Sequence, residues 1–272
     1  MARRTSENAE SVSENEPTES GQRGGLFAGL RRTKGVVEKL EPSIEEAEEK
    51  PGHVGSKPIF ISFEGGEGSG KSTQAALLQD RLRTAGHEVV LTREPGGSPG
   101  GSVVREVILG GYAAEYGPMA EAGLLSSARR DHVEHLIRPA LERGQVVLCD
   151  RFADSTRIYQ GYVGGLPMQT IDALEAVGTD GCLPDLTLVF DVSRAVADQR
   201  RRARLDEDAA AHDRFEQEDS DFHDKVAEGF RWLCETYPER CVRIDADQSV
   251  EEVAEQIDAI LQSQGVLRRA GS

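Results

Sequence analysis

The sequence predicts an α/β fold with a five-stranded parallel, doubly wound sheet flanked by helices in three layers, and three observations carry that expectation. Beyond residue 57, short apolar runs alternate with stretches of helical spacing, the order that builds such a sheet. The first run breaks at a glycine-rich turn, Gly65-Gly66-Glu67-Gly68-Ser69-Gly70-Lys71-Ser72, and a helix-forming segment follows. Later runs end on acids and arginines, at the carboxyl ends of strands where sheets of this kind hold ligands.

Residues 1–57 read differently. They are rich in Ser, Glu, Asn, Pro, Thr, Gly and Arg and lack a sustained period, so a disordered N-terminal extension is expected. Leu26, Phe27, Leu30, Val36, Val37 and Leu40 lie scattered among its basic residues, and a solvated tail is favoured there over a short amphipathic helix. Removing the extension is expected to leave activity intact. Residues 58–272 then form one domain.

The first strand, residues 60–63, leads into the glycine-rich turn. Gly65 and Gly70 bracket four residues ahead of Lys71 and Ser72, the spacing at which backbone N–H groups wrap a triphosphate and the lysine reaches its β- and γ-phosphates. The Ser72 hydroxyl suits Mg²⁺, and the helix opening at Lys71 turns unsatisfied N–H groups toward the same anion. Gly65, Gly66, Glu67, Gly68, Ser69, Gly70, Lys71, Ser72 and Thr73 are therefore the expected triphosphate-binding set.

Residues 74–84 have helical spacing with Ala75, Leu78 and Leu82 inside, and Ala85-Gly86-His87 ends them. Residues 88–92 follow as the second strand, and Arg93-Glu94-Pro95-Gly96-Gly97 places an arginine at its end before a helix bearing Arg105. The planar fork of arginine suits a phosphate there. A long helical stretch, residues 119–143, carries Arg129 and Arg130. Residues 145–150, 185–191 and 240–245 complete the sheet, the third strand ending in Asp150-Arg151.

Charge and cysteine usage narrow the function classes. Of the formal net charge of −16, residues 1–57 account for −2, with 9 Lys/Arg against 11 Asp/Glu, and the remainder of the chain for −14. So acidic a domain is a poor polynucleotide binder but suits a small anion where basic residues converge. No apolar run approaches the ~18 residues of a membrane span. The first residues, with Arg3 and Arg4, lack the apolar core of a secretory signal, so a cytoplasmic protein is expected. Cys149, Cys182, Cys234 and Cys241 form no CxxC pair and read as reduced structural thiols.

Taken together, the motifs resemble the thymidylate kinase family. The resemblance rests on the phosphate loop, Thr92-Arg93-Glu94-Pro95-Gly96-Gly97, Arg129 with His132-Val133-Glu134, and Ile137-Arg138-Pro139-Ala140-Leu141. Asp150-Arg151-Phe152 with Ser155-Thr156 and Tyr159-Gln160-Gly161, then Pro184-Asp185-Leu186-Thr187-Leu188, complete it in order over residues 58–262. The resemblance implies transfer of the γ-phosphoryl of ATP to thymidine 5′-monophosphate (dTMP), with Mg²⁺. It implies that Arg93, Arg105 and Arg151 surround the monophosphate, that Arg129 hydrogen-bonds the thymine with Thr156 as a further polar partner, and that Tyr159 crowds the sugar 2′ position. Glu67 would lie near the sugar 3′-hydroxyl, and Asp150 near the transferring phosphoryl, so Mg²⁺ is expected at Ser72 with Glu67 or Asp150.

Residues 200–216 match the family's mobile lid. This phosphate loop has no arginine after Glu67, so Arg200, Arg204 and Arg214 are the candidates for an arginine delivered by the lid. With Lys71, Asp150 and Arg151 they form the expected catalytic group. No general base is nominated, because the acceptor is already an ionised phosphate. Homodimers and small-molecule partners only are further implications of the resemblance.

Two positions depart from the family pattern and bear on base preference. The family's stacking phenylalanine is Leu125 here, which forgoes about 0.5–1.5 kcal/mol of aromatic stacking. Arg157 stands where many bacterial relatives carry glutamine. Phe222 and Trp232 read as core, His132 and His135 as members of a charged helix without a metal-ligand cluster, and Ile244-Asp245-Ala246 as a border for adenine. The competing readings are a kinase for uridylate or guanylate and a nucleotide-binding regulator. The guanine-reading Asn-Lys-x-Asp motif of a GTP switch is absent from the sequence.

Overall fold

The computed structural model describes residues 58–207, 215 and 218–265, and the expectations for residues 1–57 lie outside them. Five parallel strands form one sheet in the order β2-β3-β1-β4-β5. They are β1 (Ile59–Gly65), β2 (Val89–Arg93), β3 (Val146–Asp150), β4 (Leu186–Asp191) and β5 (Cys241–Asp245). These are the five strands expected from the sequence.

Alternation along β1 sets the two faces of the sheet. Ile61 and Phe63 pack with Ala75, Leu78 and Leu82 of α1 (Lys71–Thr84) and Val253, Ile257 and Leu261 of α9 (Val250–Ser263). Phe60 points to the opposite face, against Val133, Ile137 and Ala140. Val189 of β4 meets Val226, Phe230 and Leu233 of α8 (Ser220–Thr236) on another core cluster that Phe222 and Trp232 flank, as expected of core residues. Ser62 and Glu64 are fully buried polar residues of β1, and each is satisfied by a side-chain partner.

The remaining helices carry the site. α2 (Pro99–Leu109) follows β2, and α3 (Gly117–His132) continues through a wide π-turn, Val133–Ile137, into α4 (Arg138–Glu142). Pro139 has no N–H to donate to the helical ladder, and the wide turn lies immediately before it. The segment expected as one long helix is thus a helix with a π-turn. After β3 come the single turn α5 (Ala153–Thr156), a second π-turn at Arg157–Val163, and α6 (Met168–Thr179). After β4 comes α7 (Arg194–Glu207). All four cysteines are free, and burial pushes the Cys241 thiol up to about 12.

Candidate active site

The carboxyl ends of the strands border a cavity of about 820 Å³. Its floor is the phosphate loop. A Cβ on Gly65 would meet the Phe190 carbonyl oxygen at 2.6 Å, and one on Gly68 would meet the Ala197 carbonyl oxygen at 2.6 Å, so the loop passes too close to β4 and α7 for any other residue. Gly70, at φ 90°, delivers the chain into α1, whose N-terminus has no side-chain cap. By contrast, α2, α8 and α9 close theirs with Ser98, Asp219 and Ser249. The open N–H groups of α1 are an anion site.

Lys71 is 6% exposed and donates from Nζ to the Gly66 carbonyl at 2.6 Å and to Ser69 Oγ at 3.1 Å. Burial, with the nearby charge of Arg151, pushes its ammonium down to about 8, against the pull of Glu67, Asp150 and Glu64. Ser72 Oγ donates to the Asp150 carboxylate. Two hard oxygen donors thus meet at the head of α1, the chemistry that Mg²⁺ prefers. Glu67 is engaged elsewhere, in an ion pair with Arg151.

Arg151 is held from several sides. Its backbone is left-handed, at φ 69°, its Nη1 donates to the Gly65 carbonyl at 3.0 Å, and its Cζ lies 5.3 Å from the centre of the Tyr159 ring. The helical turn that follows Arg151 is capped from outside. Glu64 accepts from the backbone N–H of Phe152 at 2.8 Å and Ser155 at 3.3 Å, and from Ser155 Oγ at 2.6 Å. Burial, reinforced by the charge of Asp154, pushes the Glu64 carboxyl up to about 7. Asp154 in turn pairs with Arg240, which donates from Nη2 at 2.9 Å. Nothing in the residue pattern singles out Glu64, which reads as one more strand residue.

At the far end of the cavity Arg129, only 2% exposed, donates from Nε to Glu94 at 2.8 Å and from Nη2 to Thr156 Oγ1 at 3.0 Å and the Phe152 carbonyl at 3.2 Å. Arg129 and Thr156, expected together at the base, are in direct contact. His132 departs from its expected place on a charged helix face. It is fully buried, with Nδ1 3.0 Å from the second oxygen of Glu94 and Nε2 2.8 Å from Thr92 Oγ1. Helical spacing puts it one turn beyond Arg129 on the inner face of α3, which the charged neighbours masked.

Leu125, Tyr159, Arg93 and Arg105 also line the cavity, and Arg105 Nη1 donates to the Pro95 carbonyl at 3.1 Å. Arg93 shares the register of Asp150 at the strand ends, and its side chain makes no hydrogen bond or ion pair among the described residues. Gln160, quoted in the Tyr159-Gln160-Gly161 motif but given no role there, lines the cavity as well. It donates to Glu121 at 3.0 Å while its own oxygen lacks a partner among the described residues. Arg157 faces away, pairing with Asp172 at 2.7 Å and Glu175 at 2.8 Å. Downstream of β5, Gln248 and Val250 line the cavity, two and four positions beyond the Ile244-Asp245-Ala246 stretch expected there.

From the lid, Arg200 lines the cavity beside Gly70 and donates to the Gln248 carbonyl at 3.2 Å. Arg201, not singled out in the sequence, reaches His223 at 2.9 Å and pairs with Asp198. Arg214 and the side chain of Arg204 lie outside the described residues. Of the expected phosphate-loop set, Glu67 to Thr73 all reach the cavity. Gly65 and Gly66 stand behind them, supplying the carbonyls that hold Arg151 and Lys71.

Comparison with known proteins points one way. A family model described as thymidylate kinase matches residues 63–257. The chain is 50% identical over 209 residues to the thymidylate kinase of Caulobacter vibrioides, covering 76% of this chain and 98% of that protein. It is 46% identical over 213 residues to the thymidylate kinase of Nitrobacter winogradskyi, covering 78% and 92%. It is also similar to the crystal structure of thymidylate kinase from Ehrlichia chaffeensis, with a TM-score of 0.60 and 32% identity over 76% of this chain and 99% of that one.

Proposed function

The chain belongs to the thymidylate kinase family, and from that premise we propose how its cavity carries out transfer of the γ-phosphoryl of ATP to dTMP. One observation carries the proposal: a phosphate-binding floor at Lys71 and a base-reading end at Arg129 and Thr156 open into a single cavity, with Arg93 and Arg151 between them. Two polyanions held in one pocket need alignment and charge neutralisation more than covalent help.

In this reading the open N-terminus of α1 and Lys71 take the ATP phosphates, and Arg93, Arg105 and Arg151 take the phosphate of dTMP. Glu67 aims Arg151 at the reaction centre, while Tyr159, under the Arg151 guanidinium, closes the space beside the sugar 2′ position. Mg²⁺ would be held at Ser72 and Asp150, the two hard donors already in contact. Bound there with ATP, it supplies charge neutralisation at the β- and γ-phosphates. Arg200 closes the donor side of the cavity.

We also infer a cytoplasmic homodimer. Its support is family membership, the lack among the described residues of a helix long and apolar enough to cross a membrane, and the exposure of Tyr112, Tyr116 and Met119 on neighbouring turns. The testing experiment follows ADP formation with ATP, Mg²⁺ and dTMP, deoxyuridylate, uridylate or guanylate, beside a Lys71→Ala control. Turnover strongest with dTMP and lost in the control is expected. Strongest turnover with another monophosphate would reassign the base-reading end, and ATP binding without turnover would replace the kinase with a regulator.

A further inference from the structure

The contacts of His132 exceed what packing needs. Glu94 has two carboxylate oxygens, and they serve two different helical residues: Oε2 accepts from Arg129 Nε at 2.8 Å and Oε1 faces His132 Nδ1 at 3.0 Å. A carboxylate oxygen accepts, so Nδ1 carries the hydrogen. Thr92 Oγ1, from β2, holds the other ring nitrogen at 2.8 Å. Gly97 packs against the ring so closely that a Cβ there would lie 2.4 Å from Nε2. His132 itself does not line the cavity, whereas Glu94 and Arg129 do.

An arginine paired with a carboxylate alone meets it end-on or side-on, since the carboxylate turns about its terminal bond. Here His132 occupies the second oxygen and stops that turn. The plane of the Arg129 guanidinium is then fixed by Glu94 on one edge and by Thr156 and the Phe152 carbonyl on the other, leaving Nη1 without a partner among the described residues and available to a ligand. A guanidinium only donates hydrogen bonds. Held in one orientation, it rewards a pyrimidine with a carbonyl where cytosine carries an amine.

We propose that His132 is a specificity-determining positioning residue, which through Glu94 fixes the orientation of Arg129 and thereby the preference for thymine over cytosine. The inference rests on the reading that this cavity binds dTMP. It predicts an effect on the carbonyl-against-amine choice alone, because thymine and uracil carry the same 4-carbonyl and differ only in the 5-methyl.

The test measures binding of dTMP, deoxyuridylate and deoxycytidylate to the full chain by calorimetry, in the wild type and in His132→Gln, His132→Asn and Thr92→Val. The Gln amide nitrogen overlays Nε2 and releases Glu94, whereas the Asn amide nitrogen overlays Nδ1 and keeps the bond to Glu94. His132→Gln is expected to narrow the dTMP-to-deoxycytidylate ratio about 10-fold, the size of one hydrogen bond to a charged group, and His132→Asn to stay within about 3-fold of wild type. The dTMP-to-deoxyuridylate ratio should stay constant throughout. Thr92→Val, which removes one hydroxyl at constant shape, should narrow the first ratio in the same sense and keeps the test valid should the ring substitutions misfold. Equal effects of Gln and Asn, or an unchanged ratio in both His132→Gln and Thr92→Val, would overturn the proposal. A wild-type protein that binds deoxycytidylate as well as dTMP would overturn the underlying reading instead.

Discussion

Glu64→Gln tests the electrostatics beneath the reaction centre. Glu64 is fully buried and accepts three hydrogen bonds from the turn that follows Arg151, yet burial and the charge of Asp154 push its carboxyl from an ordinary 4.5 to about 7. The folded value lies above the unfolded one, so the folded chain holds this proton more tightly. The resulting stabilisation is complete below about pH 4.5 and is lost as pH rises through about 7. The rise from 4.5 to about 7 corresponds to about 3 kcal/mol of stability withheld from the wild type at pH 8. Glutamine cannot ionise, and its amide offers an oxygen for the Phe152 N–H and a donor for Ser155 Oγ. Urea unfolding of both proteins between about pH 5 and pH 8 isolates the effect, because the other titrating groups are common to both. The stability of Glu64→Gln relative to wild type should climb by about 3 kcal/mol across that range. A difference flat with pH would refute the reasoning, since an unperturbed carboxyl is ionised throughout.

Four further outcomes are expected. Burial holds Lys71 at about 8, so kcat/KM for ATP should fall above that pH as the ammonium is lost, while kcat, with phosphates bound beside it, holds higher; a kcat/KM flat through about pH 9 would contradict this. Gly68→Ala drives a methyl to 2.6 Å from the Ala197 carbonyl at a left-handed position, and ATP binding by calorimetry should weaken about 10-fold with smaller change in dTMP binding. Asp154→Asn breaks the ion pair with Arg240 at a residue 1% exposed, and chemical unfolding should show a loss of about 3–5 kcal/mol. Leu125 lines the cavity, and Leu125→Phe should lower the KM for dTMP by up to about 10-fold; an unchanged or higher value would show that the ring gains no stacking there.

Much of the architecture was legible in the residues. Alternating apolar runs and helical spacings determined five parallel strands with helices between them, because period and run length are local properties of a chain. The phosphate loop was legible for a related reason: a backbone wrapped around an anion needs glycines at fixed spacing, and Gly65, Gly68 and Gly70 all take positive φ. Family motifs named Arg93, Arg105, Arg129, Arg151, Thr156 and Tyr159, and the fold brings them to one cavity.

Tertiary structure decided what pairs with what. Arg151 faces Glu67, whereas Asp150 meets Ser72, a division of labour between two acids that spacing leaves open. Arg157 looks as available as Arg129 in the sequence, but α6 presents Asp172 and Glu175 and draws it from the cavity. The roles of Glu64 and His132 stayed hidden because they depend on partners 88 or more and 38 or more residues away, on other elements of the fold. Local sequence specifies which elements form and where the chain turns. The charge state of a buried carboxyl and the orientation of a guanidinium depend on how packed elements exclude water and place hydrogen-bond partners, which only the assembled fold supplies.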